Sequence, residues 1–515
     1  MKNLFKLTLL SSALLMLVGC SEDYLEKEPS EFLTQEQVSE AGETNADVLV
    51  GTLTGIYSLQ FESGSGGTTN HDDFGHKGYD IYGDMLSGDM ALSVSSFGWY
   101  RADITEFQAP KDFLQQRNYM PWRYYYRIVR SANLVINAVG GNDAEPEVEE
   151  NKYILGQAKA LRAHSYFYLT QYYQKEYDPN EEILPIYVSP EEENGPKVPA
   201  SQIYDLIESD LNHAISLLDG FGRSAKNEIN QDVAKGILAY VLASKDTPEA
   251  WGQVKTLTDE IIAESSYPIM DSTEVAPTDA AEVNLVGNSG SISGGGFNDV
   301  NTAGWMWGVD VTSDVGVGLV SWWGQMDYFS YSYAGYGDYK AMDSDLYDQM
   351  PADDVRRRQF MSNPGSANYL QPWGKFYDPA RVARGPSQVI TMDLVYMRIA
   401  EMYLLNAEAA ANLDMDAEAR TSLAALLDLR VDDTSYLDDL SGQDLEDEIY
   451  LQTRIELWGE GKSYLAMKRN KATTVRGPNH LSFVGEPIPY NDERMTFEIP
   501  EAEILYNPAI STQNN

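Results

Sequence analysis

The sequence predicts a mainly α-helical fold, a scaffold of tetratricopeptide-like helix pairs that carries loop-rich, short-strand insertions. Three observations predict it. Two blocks of the 515-residue chain place apolar residues at three- and four-residue steps. Their stripes follow one another in pairs joined by short polar turns, as helix-turn-helix repeats require, although the complete repeat signature is not spelled out. Between the blocks, residues 271–390 turn to Gly, Trp, Tyr and Pro, with few helix formers.

At the N-terminus, Lys2 and Lys6 precede an apolar run from Leu7 to Val18 that is too short and wrongly flanked for a membrane span. Residues 1–19 therefore read as a secretory signal peptide. The end of that run, Leu17-Val18-Gly19-Cys20, resembles the lipobox of bacterial lipoproteins, in which a lipidated cysteine becomes the mature N-terminus. Cys20 is the only cysteine in the chain, so this assignment leaves no disulfide, thiolate metal site or cysteine nucleophile. Several acyl chains, at about 0.8 kcal/mol per buried CH₂, would hold the protein firmly to a bilayer. Residues 20–40 are acidic and polar, a spacer between lipid and fold. The acidic residues just after Cys20 resemble a surface-export signal of some Gram-negative lipoproteins.

Composition narrows the ligand. With 79 acidic and 37 basic residues the formal net charge is −42, which argues against nucleic acid and anionic lipid surfaces. Long-range repulsion disfavours polyanionic ligands too, unless a local basic pocket overrides it. Hydrophobic residues make up 43% of the chain, enough for a core in one very large domain or in two to three ordinary ones.

The helical stripes run through about 119–138, 154–172, 201–218, 231–243, 248–263, 392–411, 415–430 and 444–469. In the second, Ile154, Ala158, Leu161, Ser165, Tyr168 and Tyr172 form one small-plus-aromatic face. Two regions break the pattern, about 62–108 and 271–390, and loops on a rigid scaffold are where binding concentrates.

Four segments carry a resemblance that periodicity cannot supply. They are Ala160-Leu-Arg-Ala-His-Ser-Tyr-Phe-Tyr-Leu169, Tyr396-Met-Arg-Ile-Ala-Glu-Met-Tyr-Leu-Leu-Asn-Ala-Glu-Ala409, the helix-like run Arg454–Arg469, and the tail Phe497–Pro508 followed by Gln513-Asn514. Together and in this order they resemble the SusD/RagB family of nutrient-binding outer-membrane lipoproteins of Bacteroidetes-type bacteria. One departure is Lys462, where the family has arginine. The resemblance implies a single SusD-like domain over residues 41–515, with the ligand site on irregular loops opposite the helix pairs. It also implies a protein of the cell surface that captures oligosaccharides, sometimes peptides, and caps a SusC-like TonB-dependent transporter. No catalysis is implied.

A glycan site combines aromatic faces for sugar C–H groups with fixed polar partners for hydroxyls. The candidates are Asp73, Trp99, Tyr100, Trp307, Trp322, Trp323 and Tyr336. Trp305 and Trp307 share one face if extended, whereas Trp322 and Trp323 would point to opposite sides of a strand. Phe329, Tyr331 and Tyr333 alternate with Ser330 and Ser332 like a half-buried strand, which favours core. Tyr336 and Tyr339 stand among Gly335, Gly337 and Asp338, in a turn that projects them outward. Trp99 and Tyr100 follow Gly98, with His71, Asp72 and Asp73 upstream as polar partners.

An enzyme would need a nucleophile, an acid-base pair or a metal. The chain has no GxSxG, HExxH, GxGxxG or Walker A motif and only five histidines, so no catalytic residue, cofactor or metal is assigned. Paired carboxylates of glycosidase type remain open, since 79 acidic residues make some pair inevitable. A peptide- or protein-binding scaffold using the helical groove is the other alternative.

Overall fold

The computed structural model describes residues 46–278, 293–379 and 389–514; the signal segment 1–19, Cys20 and the spacer to residue 40 lie outside the described residues, as do parts of the 271–390 loop region. The first block forms helices α1 (Ala46–Ser58), α2 (His76–Leu86), α3 (Gln116–Ala138), α4 (Glu149–Tyr173), α5 (Ala200–Leu217), α6 (Gln231–Ala243) and α7 (Pro248–Glu264), with strand β1 (Met90–Ser95) after α2. Local chemistry sets several starts. The Asn230 side chain accepts from the Val233 N–H to open α6, and Thr247 accepts from the Ala250 N–H to open α7, where Pro248 takes the first turn.

The loop-rich insertion then contributes β2 (Trp305–Val309), two short helices, α8 (Trp322–Met326) and α9 (Tyr333–Tyr336), and β3 (Asp338–Met342). The chain returns through β4 (Leu394–Arg398) to α10 (Ile399–Asn412), α11 (Asp416–Leu427), α12 (Gln443–Glu456) and α13 (Ser463–Arg469). Helix α3 packs on α4, α4 on α5, α5 on α6, α6 on α7, α7 on α10, and α10 on both α11 and α12. The insertion thus leaves and re-enters the helix stack at neighbouring positions. Two antiparallel ladders fasten it: β1 with β3, and β2 with β4.

Three expectations change. Helix α4 has no solvent face, because α3 and α5 cover it from two sides and every residue from Ile154 to Tyr173 is buried. The stripe at 392–411 begins as strand β4; the Glu401 carboxylate accepts the Arg398 N–H at 2.8 Å and starts α10 only there. The stripe at 444–469 splits into α12 and α13 around Gly459 and Gly461, which hold φ of 78° and 76°. A Cβ at Gly461 would lie 2.1 Å from Asp80 Oδ1, so the close approach requires glycine.

In the helical family-like segments, several charged residues form buried joints. Arg162 of α4 donates to Asp210 of α5 at 2.7 and 2.8 Å, to Asn133 of α3 at 2.8 Å and to Asn142 at 2.7 Å. One guanidinium therefore pins three helices. Glu456 at the end of α12 receives Arg398 at 2.7 Å, Arg430 at 2.9 Å and Arg356 at 3.2 Å. Glu460 receives Arg398 and Lys375, both at 2.7 Å. Lys462 donates to the Tyr396 carbonyl at 3.0 Å, a bond to backbone for which a lysine suffices. Burial alone would raise the Glu456 pKa, but Arg430 and Arg398 hold it well below the usual carboxylate range. This cluster ties the insertion, through Arg356 and Lys375, to the second helical block.

Among the described residues no helix is long and apolar enough to cross a membrane.

Candidate functional site

The two loop-rich regions meet where β1 pairs with β3. Ser95 lies opposite Asp338, and beyond it the Ser96 N–H donates to the Gly337 carbonyl at 2.9 Å. The buried Asp338 carboxylate then accepts from the Phe97 N–H at 2.9 Å and the Trp99 N–H at 3.3 Å. This carboxylate shapes the loop that carries both aromatics. On the facing segment, Asp327 accepts from the N–H groups of Phe329 and Ser330 at 3.1 and 2.8 Å, and the Ser332 hydroxyl accepts from the Gly335 N–H to cap α9. Gly337 ends α9 at φ 117°.

The result is an aromatic patch. Phe97 is 56% exposed, Tyr336 43% and Tyr331 37%. Half-buried Trp99 stacks on His71, with ring centroids 5.2 Å apart and planes 4° apart. Tyr333 ties the group together, meeting Phe97 at 5.2 Å, Trp99 at 5.7 Å and His71 at 5.8 Å between centroids. Tyr331 and Tyr336 pack edge to face at 5.7 Å. Polar groups frame it: exposed Ser96, and Arg117, whose guanidinium stands 5.6 Å from the Trp99 ring. Sugar rings need this mixture of apolar faces and fixed donors.

Of the seven residues singled out from sequence, Trp99 and Tyr336 reach this surface. The other five are buried. Asp73 is spent on the loop before α2, accepting from the N–H groups of Gly66 and Thr68 at 2.6 and 2.8 Å. Tyr100 turns inward at φ 66°, under the Lys340 ammonium. Trp307 lies on a strand that is buried throughout, and its indole N–H donates to the Asn227 carbonyl at 2.8 Å. Trp322 and Trp323 sit in helix α8, not a strand, so they do not face opposite sides; Ser321 caps that helix, and Trp323 donates to the Asp393 carbonyl. Likewise Asp72 is buried against Arg117 at 2.9 Å, and Tyr339 lies half-buried in β3.

Sequence reasoning missed Phe97 and Tyr331. The alternation from Phe329 to Tyr333 is not a strand: the Asp327 turn and Ser332 cap bend it, burying Phe329 and Tyr333 and turning Tyr331 outward. The capping residues themselves were the available signal. Among the described residues no group of three or more His, Cys, Asp or Glu is placed to hold a metal ion.

Paired helices stacked in sequence, with a loop-rich insertion presenting aromatic rings, define a SusD-like architecture. The model of the SusD family matches residues 326–514, and one described as "Starch-binding associating with outer membrane" matches residues 79–241. No curated protein matches the chain. Among solved structures, a SusD-like carbohydrate binding protein from Bacteroides vulgatus is 25% identical with a TM-score of 0.70, over 90% of this chain and 97% of its own. The surface glycan-binding proteins A of Bacteroides uniformis and Bacteroides thetaiotaomicron are each 15% identical, with TM-scores of 0.63 and 0.65. They are covered over 91% and 92% of this chain and 99% of their own, and share its fold. Over residues 326–514 the chain belongs to the SusD/RagB family, and over residues 79–241 it is similar to the SusD-like starch-binding one.

Proposed function

We propose that this protein binds a neutral or weakly charged oligosaccharide at the cell surface and hands it to a SusC-like TonB-dependent transporter of the outer membrane. The observation that carries the reading is the exposed patch of Phe97, Trp99, Tyr331 and Tyr336 at the meeting of the two loop regions. Its setting in a SusD-type chain, with a family described as starch-binding and outer-membrane associated, supports a glycan over other ligands. Three aromatic platforms at roughly 1–2 kcal/mol each, by analogy with base stacking, sum to about 3–6 kcal/mol. That corresponds to binding in the millimolar range or somewhat tighter, suited to a protein that must release its ligand onward. Acyl chains on Cys20 would tether it to the outer membrane, and binding without turnover is its task.

The test is calorimetry or affinity electrophoresis with a panel of purified polysaccharides, wild type against Trp99→Ala and Tyr336→Ala. Loss of a glycan interaction in these variants is expected. Binding unchanged in both would remove the patch from the site, and binding of peptides without any glycan would redirect the reading to a peptide carrier.

A further inference from the structure

Along α3, beyond Arg117 at the edge of the aromatic patch, a cleft opens with a volume of about 410 Å³. Arg123, Arg127 and Arg130 line it, at the i, i+4 and i+7 positions of one helix face. Tyr119, Tyr126 and Tyr187 lie beside them. All three arginines are exposed, and their hydrogen bonds within the described residues go to carbonyls: Arg123 to Gly67 at 3.3 Å and Arg127 to Ser65 at 3.4 Å. Arg117, earlier on the same helix, is instead neutralised by Asp72 and Asp103. The two carboxylates in the cleft wall are engaged elsewhere. Glu192 accepts the Val188 N–H at 2.7 Å, and Glu503 accepts from Trp122 at 3.3 Å and Asn507 at 2.7 Å.

The opposite wall is held in place. The Tyr187 N–H donates to the Tyr166 hydroxyl at 2.7 Å, Asn133 donates to the Tyr187 carbonyl at 3.0 Å, and the Tyr187 ring packs on Tyr126 with centroids 5.7 Å apart. A chain of net charge −42 whose three guanidiniums here pair with no carboxylate among the described residues, in a fixed, tyrosine-walled cleft, has a local field opposite to its global one. At physiological salt the distant acidic residues are screened beyond about 8 Å, so the local guanidiniums decide.

We propose that this cleft is a second ligand site, one that takes a carboxylated sugar unit such as a uronic acid. Guanidinium forks match a carboxylate in two-point geometry, and the tyrosines offer faces to a pyranose. The volume falls within the roughly 300–1,000 Å³ of small-ligand pockets. The sugar part of the assignment rests on the glycan reading above; the carboxylate part rests on the arginines.

The experiment is calorimetry on the complete mature chain with tetragalacturonate, a glucuronate-containing disaccharide, sialyllactose, the methyl ester of tetragalacturonate, and an oligoglutamate peptide. At least one acidic saccharide is expected to bind saturably, more weakly as salt is raised. Its affinity should fall about tenfold or more in the Arg127→Ala/Arg130→Ala double variant and survive in Trp99→Ala. Where tetragalacturonate is that ligand, its methyl ester should lose a similar factor. No acidic saccharide bound, equal binding by the double variant, or binding of oligoglutamate alone would each overturn the proposal. A neutral glycan still lost in Trp99→Ala would show that the aromatic-site reading stands even then.

Discussion

His71 lies flat against Trp99, their ring planes 4° apart, while its Nδ1 meets the Tyr333 hydroxyl at 2.5 Å. The imidazole is thus a backing plate that fixes the indole and the central tyrosine together. His71→Ala should weaken glycan binding about three- to tenfold, less than Trp99→Ala, because the platform remains but loses its orientation. His71→Phe keeps the stack and loses the hydrogen bond, so calorimetry on it separates the two contributions. Retained affinity assigns the effect to stacking.

Asp338 holds the Phe97–Trp99 loop by its carboxylate without contributing a ring. Asp338→Ala leaves two N–H groups without their acceptor, at about 1–3 kcal/mol each if water cannot reach them. The expected outcome is a lower unfolding midpoint and a loss of glycan affinity of about tenfold, although no aromatic residue is touched. A variant that melts earlier yet binds normally would mean that the loop keeps its shape without Asp338.

Gly337 and Gly98 offer a matched comparison beside the patch. Both have positive φ, 117° and 85°, but a Cβ at Gly337 would stand 2.4 Å from Ser96 Oγ while nothing lies within 4 Å at Gly98. Each alanine variant meets backbone strain of roughly 1–2 kcal/mol. Only Gly337→Ala must also displace Ser96 at the rim, so it should reduce glycan affinity more than Gly98→Ala at similar stability loss. Equal effects on binding would show that Ser96 simply rotates away.

The helices were legible because their signals are local: stripe, cap and stop lie within one segment, as with Thr247 and Pro248 at α7. The burial of Trp307, Trp322 and Trp323 was not, since an aromatic residue in a Gly-rich region reads alike whether it fills a core or faces solvent. What decides is the partner, here the Asn227 and Asp393 carbonyls for Trp307 and Trp323 and the Phe376 ring for Trp322, all far away in sequence. Trp99 was within reach because Gly98 and the break in periodicity mark an exposed loop. Its companion Tyr331 was hidden by an alternation that imitates a strand, which the Asp327 turn overrides. The arginine cleft escaped notice because the global charge of −42 says nothing about one face of α3.

Arg162 joins α3, α4 and α5 through Asp210 and Asn133, all buried. Arg162→Ala strands the Asp210 charge with Lys159 as its remaining partner, at 3.0 Å. Breaking a buried pair in this way costs about 3–5 kcal/mol, a large share of a domain's stability. Chemical denaturation should show that loss, and the Arg162→Ala/Asp210→Ala pair should lose less than the sum of the two single changes.

Glu456 makes stability depend on acid. Burial would push its carboxyl up, yet Arg430 and Arg398 hold it well below its ordinary value of 4.5, and Arg398 and Lys375 lower Glu460 against burial in the same way. A carboxylate depressed in the folded state contributes stability that is complete above the unfolded value and is lost as pH falls from about 4.5 toward the folded value. The Glu456 share of the urea midpoint should therefore be constant above about pH 4.5 and decline below it. Glu456→Gln leaves three guanidiniums facing a neutral amide, so it should unfold at lower urea by about 3–5 kcal/mol at neutral pH. It should also flatten the acid decline, because the group that must be protonated is gone, with Glu460 supplying the residual slope. An acid limb as steep in Glu456→Gln as in the wild type would place the acid sensitivity elsewhere in the chain.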